Sequence, residues 1–249
     1  MTLEDDWRAE SRHAMHGWDF SHLNGRWQTD PLPWQYEALV RSNMHSTDQW
    51  LDIDTGGGEL MQGFRHDPAL TAVTEGWDPN IELLRQTIVP TGVTLYADSD
   101  ETLAAVPTEA FDLVTDSHGA LPVTNIARVM RAGALFVTQQ VGGDNNYGLS
   151  RFFDEEYVPA YPQNMLLQVA AEFQAAGLQI LEANSAMAKM TFADVGAIVY
   201  YATMIPWEFP QFDIERAMPK LHQLQDLLEA GMPLQTFESR FMIIATKPA

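Results

Sequence analysis

Between residues 49 and 141, short apolar runs alternate with polar, turn-forming stretches. QWLDID, TAVTE, GVTLYA, AFDLVTD and ALFVTQQV read as five buried strands. Helical runs separate several of them: a turn and helix in GGGELMQGF, a helix from Asp78 to about Gln86, and NIARVM, which ends at RAG. Continuous apolar strands alternating with short helices predict βαβ units around a parallel sheet, with right-handed crossovers. Beyond Val141 the segment GGDNNYGLSRFFDEEYVPAYP is rich in turn formers. A helix is expected from about Asn164 to Ala176, capped by Gly177, then a sixth strand in LQILEAN and a last one in FMIIATK. The chain between these strands is too long for a structureless loop and carries an expected helix from Ile214 to Leu228.

This pattern predicts a single domain of α/β class, Rossmann-like and doubly wound around a mostly parallel seven-stranded sheet. Residues 49–185 and 241–249 form the core. Residues 1–48 form a helical N-terminal cap, with helices over 4–17 and from Trp34 to about Met44 and an aromatic, turn-rich stretch between. Residues 186–240 form a helical insertion, expected to pack over the site and line a substrate pocket.

Composition narrows the function. Of 249 residues, 46% are hydrophobic and none is cysteine, which excludes disulfides, thiolate nucleophiles and cysteine-ligated metals. The net charge of −20, with 14 scattered basic residues, makes nucleic acid an unlikely partner. The N-terminus lacks the apolar stretch of a signal peptide, and no apolar run is long enough to span a membrane. A cytoplasmic protein acting on a small molecule is expected.

LDIDTGGGEL, residues 51–60, carries the most chemistry: a strand enters three glycines and then a helix. Glycine permits left-handed backbone and close ligand approach, and N–H groups at a helix start face anionic or polar groups. A dinucleotide fingerprint would need a third small residue where Met61 stands, and the lysine of a phosphate loop is missing. Glu75 closes TAVTE, where a carboxylate can accept both hydroxyls of an adenosine ribose; the bland alternative is a solvated strand-end acid. Asp98, with Ser99, follows the third strand and could sit beside an adenine, although Asp is also common at loop starts.

Together these segments resemble the class I S-adenosylmethionine-dependent methyltransferases. LDIDTGGGE is similar to the family's first motif, Glu75 falls at its ribose-binding acid, and FDLVTDSHGAL and ARVMRAGALFV resemble its fourth- and fifth-strand segments. TEGWDPN, VTQQVGGDN and DVGAIVYYATMIPW are similar to a bacterial subgroup of undefined substrate. The resemblance implies S-adenosyl-L-methionine as cofactor and a sheet order of 3-2-1-4-5-7-6 with the seventh strand antiparallel. It implies cofactor contacts from Asp52, Asp54, Thr55, Gly56, Gly57, Gly58, Glu75, Asp98, Ser99 and Asp116. The family usually has glycine where this chain has Asp54.

The implied reaction moves a methyl group from a sulfonium to an acceptor, and it needs orientation and water exclusion more than it needs a metal. His118, in the loop after the fourth strand with Asp116 and Ser117, is the candidate general base. Gln139 and Asn145 after the fifth strand, and Tyr200, Tyr201 and Trp207 in the insertion, are candidate acceptor contacts; loop hydrogen bonding and core packing are their plain alternatives. His13 and His16 can share a helix face near His22, but with no further ligand identifiable nearby a surface cluster is expected. Two readings from other classes stay open: a catalytically weak or inactive cofactor-binding protein, and an NAD-dependent oxidoreductase, which the missing third glycine disfavours.

Overall fold

The computed structural model describes residues 2–13, 20–98 and 102–249. In chain order the elements are α1 (Leu3–Glu10), a 3-10 turn (Ser21–Leu23), β1 (Trp27–Thr29), α2 (Tyr36–Asn43), β2 (Trp50–Ile53), α3 (Glu59–Phe64), β3 (Thr71–Glu75), α4 (Asp78–Thr87), β4 (Thr94–Ala97), β5 (Phe111–Ser117) and α5 (Val123–Val129). There follow β6 (Met130–Val141), α6 (Tyr147–Phe153), α7 (Leu166–Ala175), β7 (Gln179–Phe192), α8 (Val195–Met204), α9 (Ile214–Glu229) and β8 (Leu234–Thr246). Two compact units emerge. The first comprises Met1–Leu32, Gly142–Gln163 and Ala186–Arg240; the second comprises Pro33–Val141, Asn164–Ser185 and Phe241–Ala249.

The second unit is the alternating α/β part. Its strands lie in the order β7-β8-β6-β5-β2-β3-β4. β2 pairs in parallel with β3 and β5, β3 with β4, and β5 with β6. Backbone bonds join Gly133 to Lys247 and Gly142 to Ser239, so β8 descends as β6 ascends and the two are antiparallel. The expected order and a β8 that runs antiparallel to β6 are both present.

Side chains on successive strand positions enter different cores, as a period of two requires. From β2, Leu51 and Ile53 join one cluster and Trp50 the other. From β8, Phe241, Ile243 and Ala245 join the first, and Met242 and Ile244 the second. Ile126 of α5 and Phe173 of α7 complete one layer, while Val40 of α2, Phe64 of α3 and Leu84 of α4 complete the other. The central strands β2, β3 and β5 are covered on both faces, which is why their sequences read as unbroken apolar runs.

The first unit has its own core, built around α8. Nine of its residues, including Tyr200 and Tyr201, are buried. Asp194 caps α8 by accepting from the Ala197 N–H at 2.8 Å, and Asp213 caps α9 in the same way through Arg216 at 2.9 Å. β1 pairs antiparallel with β7, Trp27 opposite Phe192.

Three features differ from the sequence pattern. β1 makes an eighth strand in a stretch expected to be turns, because three residues are too few to set up a legible alternation. RAG continues directly into β6 and does not form a turn; Gly133 adopts its left-handed φ of 81° within the strand. β7 and β8 each extend into the segment expected to be wholly helical, which therefore begins and ends in strand.

Candidate active site

The carboxyl ends of β2 to β6 carry most of the residues singled out by sequence, and all of this lies within the second unit. Ligands of open α/β sheets bind at this edge. Register fixes the neighbours: Ile53 lies beside Asp116 and Asp116 beside Thr138, while Ser117 lies beside Gln139 and Glu75 beside Ala97.

The turn after β2 is held by β3. Thr74 accepts the Asp54 N–H on its hydroxyl and the Thr55 N–H on its carbonyl, both at 3.0 Å. Gly56 is left-handed at φ 63°, and a β-carbon there would meet nothing within 4 Å, so the space over the turn is open. Gly58 begins α3 at φ 83°, and a β-carbon there would run into the Ile88 side chain. The third glycine thus serves packing against α4, while the first leaves room above the backbone.

Three carboxylates crowd this edge. Asp52 accepts from the hydroxyls of Thr55 at 2.7 Å and Thr115 at 2.6 Å, and burial pushes its pKa up to about 6. Asp116 is fully buried; its Oδ1 accepts from the Gly119 N–H at 2.8 Å and from Gln140 at 3.2 Å. Among the described residues, its Oδ2 has no hydrogen-bond partner. Burial raises the Asp116 pKa well above the carboxylate range, and the Asp54 and Asp52 charges push it in the same direction. Asp54 reaches across to accept the Ala120 N–H at 2.9 Å. Its φ of 50° is left-handed, which gives a backbone reason why glycine suits this position.

Glu75 is 6% exposed and fixed by the start of the next loop: Oε1 accepts the Gly76 N–H at 3.0 Å and the Trp77 N–H at 2.8 Å. Among the described residues, Oε2 has only a long contact of 3.4 Å from Asn80. Asp98 is also buried, and its Oδ2 accepts the Leu103 N–H at 2.7 Å, so it shapes its own loop. Ser99 lies outside the described residues. His118 follows β5, exposed, at a left-handed φ of 70°, with its N–H bonded to the Gln139 carbonyl at 3.0 Å. The Gln139 side chain donates to Ser117 at 3.1 Å and accepts from Trp34 at 3.4 Å.

The remaining candidates lie in the first unit. Asn145 is buried, donates to Glu208, and accepts from the Ser239 N–H at 2.9 Å and from Arg240 at 2.7 Å. Every polar atom of its amide therefore has protein work. Asn146 bonds the Tyr201 hydroxyl at 2.8 Å. Tyr200 and Tyr201 are core residues, whereas Trp207 is 38% exposed.

Sequence reasoning missed Trp77, whose ring is 55% exposed two residues after Glu75, and Asn80 beside the same carboxylate. TEGWDPN contains both, and a large exposed aromatic directly after a strand-end acid was the available signal. It also missed that Glu10 joins His13 and His22. His16 lies outside the described residues.

No family profile matches the chain, and no curated protein sequence matches it. Solved structures do. The candidate methyltransferase BH2331 of Bacillus halodurans superposes with a TM-score of 0.58 at 15% identity, over 86% of this chain and 97% of that one. The YcgJ protein of Bacillus subtilis gives 0.59 at 16%, over 86% and 98%. This is the class I methyltransferase fold. The same methyltransferase fold carries other chemistry as well: the [4+2]-cyclase SpnF superposes at 0.52 and 14%, over 86% and 80%. Identities this low establish the architecture, so the reaction has to be argued from the site.

Proposed function

We propose that the carboxyl edge of the second unit's sheet binds S-adenosyl-L-methionine and that the protein transfers its methyl group to a small-molecule acceptor. The observation that carries this reading is Glu75. Two backbone N–H groups hold one carboxylate oxygen and leave the other oriented to accept, at a strand end one strand over from a glycine turn with open space above it. That arrangement suits a ribose diol, with Trp77 offering an exposed ring beside it for a base. The buried, unpartnered Oδ2 of Asp116 suits the ammonium of an amino-acid moiety.

In this reading Gly56, Gly57 and Gly58 present backbone toward the methionine end, with Asp52, Asp54, Thr55 and Asp116 around it. Glu75 takes the ribose, and Asp98 flanks the base. The bound cofactor supplies a methyl group already activated on a sulfonium. The protein's part is to hold the acceptor in line, exclude water and, where the acceptor carries a proton, remove it; His118 is the proposed base. Gln139 offers its side chain to an acceptor at this edge, whereas Tyr200, Tyr201 and Asn145 act through packing and hydrogen bonding. The acidic chain, at −20, supports a small acceptor over a nucleic acid, and the likeness of three sequence segments to a bacterial subgroup adds no substrate name.

Calorimetry of the full chain with S-adenosylmethionine, S-adenosylhomocysteine and NAD tests the proposal. Saturable binding of the first two and none of NAD is expected. Absence of saturable heat or competition up to millimolar ligand refutes it. A second reading, binding with little or no transfer, draws on Asp54, whose carboxylate stands where the family has none. Binding without transfer to any acceptor in a broad small-molecule screen would favour it.

A further inference from the structure

The first unit gathers three metal-ligating side chains that the proposed reaction does not use. Glu10 ends α1, His13 follows it, and His22 sits in the Ser21–Leu23 turn. Their potential ligand atoms all lie within 4.8 Å of one another. His22 Nε2 is 2.7 Å from Glu10 Oε2. The two imidazole rings lie 4.3 Å apart, and Tyr200 of α8 packs against both, at 5.7 Å from His13 and 4.6 Å from His22.

The surroundings hold this group in place. Arg26 donates to Asp194 through two bonds of 2.9 and 2.6 Å and to Glu10 Oε1 at 2.7 Å, which leaves Glu10 Oε2 turned to His22. Two carboxylates face one guanidinium, so with neutral imidazoles the cluster carries a single negative charge. His22 Nε2 also faces conflicting demands. Arg26 Nη1, 3.1 Å away, can only donate and needs a lone pair there, whereas Glu10 accepts and needs a proton on the same atom. A cation bound to the nitrogen lone pair and to Glu10 Oε2 takes the place of the proton between them, while Arg26 Nη1 keeps Glu10 Oε1 as its acceptor.

We propose that Glu10, His13 and His22 form a binding site for a late first-row divalent cation, Zn²⁺ being the type. Imidazole and carboxylate ligands suit Zn²⁺, Ni²⁺ and Co²⁺, and three protein ligands leave a fourth position for water. Bond lengths of about 2.0–2.2 Å set ligand atoms roughly 3.3–3.5 Å apart in a tetrahedron, which modest side-chain rotations supply. His13 is exposed and gives the ion its entry. Arg26 and Asp194 act as outer partners, holding the orientation of Glu10. Bound metal ties the end of α1 to a turn twelve positions along the chain and stabilises that connection. The site is independent of the methyltransferase reading.

The test uses tag-free full-length protein, stripped with a chelator and titrated with Zn²⁺ and Co²⁺. We expect one equivalent bound, a visible Co²⁺ absorption band, a higher melting temperature, and Zn²⁺-induced shifts confined to two histidine ring systems in NMR spectra. His13→Ala and His22→Ala each weaken binding by at least the roughly ten- to hundredfold typical of outer-shell changes, Glu10→Gln weakens it too, and His66→Ala leaves it unchanged. The proposal is overturned if wild type binds no more tightly than His13→Ala/His22→Ala, or if the shifted ring resonances vanish with His66→Ala. Should the double variant fail to fold, the wild-type titration with the His66→Ala control decides alone: two shifted rings that survive that change support the site, and any other pattern overturns it.

Discussion

Replacing Glu75 with Gln isolates the contact on which the cofactor reading rests. Oε1 of Glu75 already accepts two backbone N–H groups, at 3.0 and 2.8 Å. A glutamine keeps those bonds only by placing its carbonyl oxygen there, which turns its amide nitrogen toward the ribose. An acceptor becomes a donor at the one point where the ligand needs to donate. Hydrogen bonds to charged groups contribute about 1.5–3 kcal/mol each, and the ribose hydroxyl can recover part of the loss by accepting from the new amide. A loss of one such bond's worth is therefore expected, which is roughly a ten- to hundredfold weaker affinity. The apo protein should change little, since both backbone bonds keep an acceptor. Calorimetry with S-adenosylhomocysteine gives the affinity, and thermal unfolding without ligand gives the control. Unchanged affinity in a variant that folds like wild type would refute the placement of the ribose at Glu75.

Other predictions probe the acidic edge and the first unit. Asp54→Gly should bind S-adenosylhomocysteine more tightly; weaker binding across pH 5 to 8 would make Asp54 a ligand contact. Its effect on stability should be small, because relief of left-handed strain of about 1–2 kcal/mol offsets the lost Ala120 bond. Asp52, with its folded pKa raised by burial to about 6, holds a proton longer than the unfolded chain does, so its contribution to stability is full below pH 4 and is lost as pH rises through 6. Asp52→Asn should therefore gain up to about 3 kcal/mol relative to wild type between pH 4 and 7, read from urea unfolding; parallel pH curves would contradict this. Asn145→Ala should lower the melting temperature, because it strips partners from buried Glu208 and from the Ser239 N–H; a raised KM at unchanged stability would instead return Asn145 to the acceptor site.

The apolar runs and the glycine turn of residues 49–141 determined the parallel strands, their helices and the edge where Asp54, Glu75 and Asp116 sit, because strand burial and left-handed turns leave a local trace in residue type. β1 left none, since three residues gain strand geometry only from pairing with β7. The extent of β7 and β8 was illegible because burial there alternates while residue type does not follow it: apolar Met187 and Phe237 are exposed, and polar Thr236 and Ser239 are buried. Side-chain roles depended on tertiary structure most of all. Asn145 and Tyr201 read as polar and aromatic candidates for a ligand, yet their partners, Glu208, Arg240 and Asn146, are distant along the chain or facing in a direction the sequence does not encode. Glu10 and His22 meet only because α1 and the following turn pack on Tyr200 of α8, far along the sequence. Period and composition act over a few residues and could be read directly. Carboxylate crowding, orphaned oxygens and ligand clusters arise from approach across the fold, and only the packed structure decides them.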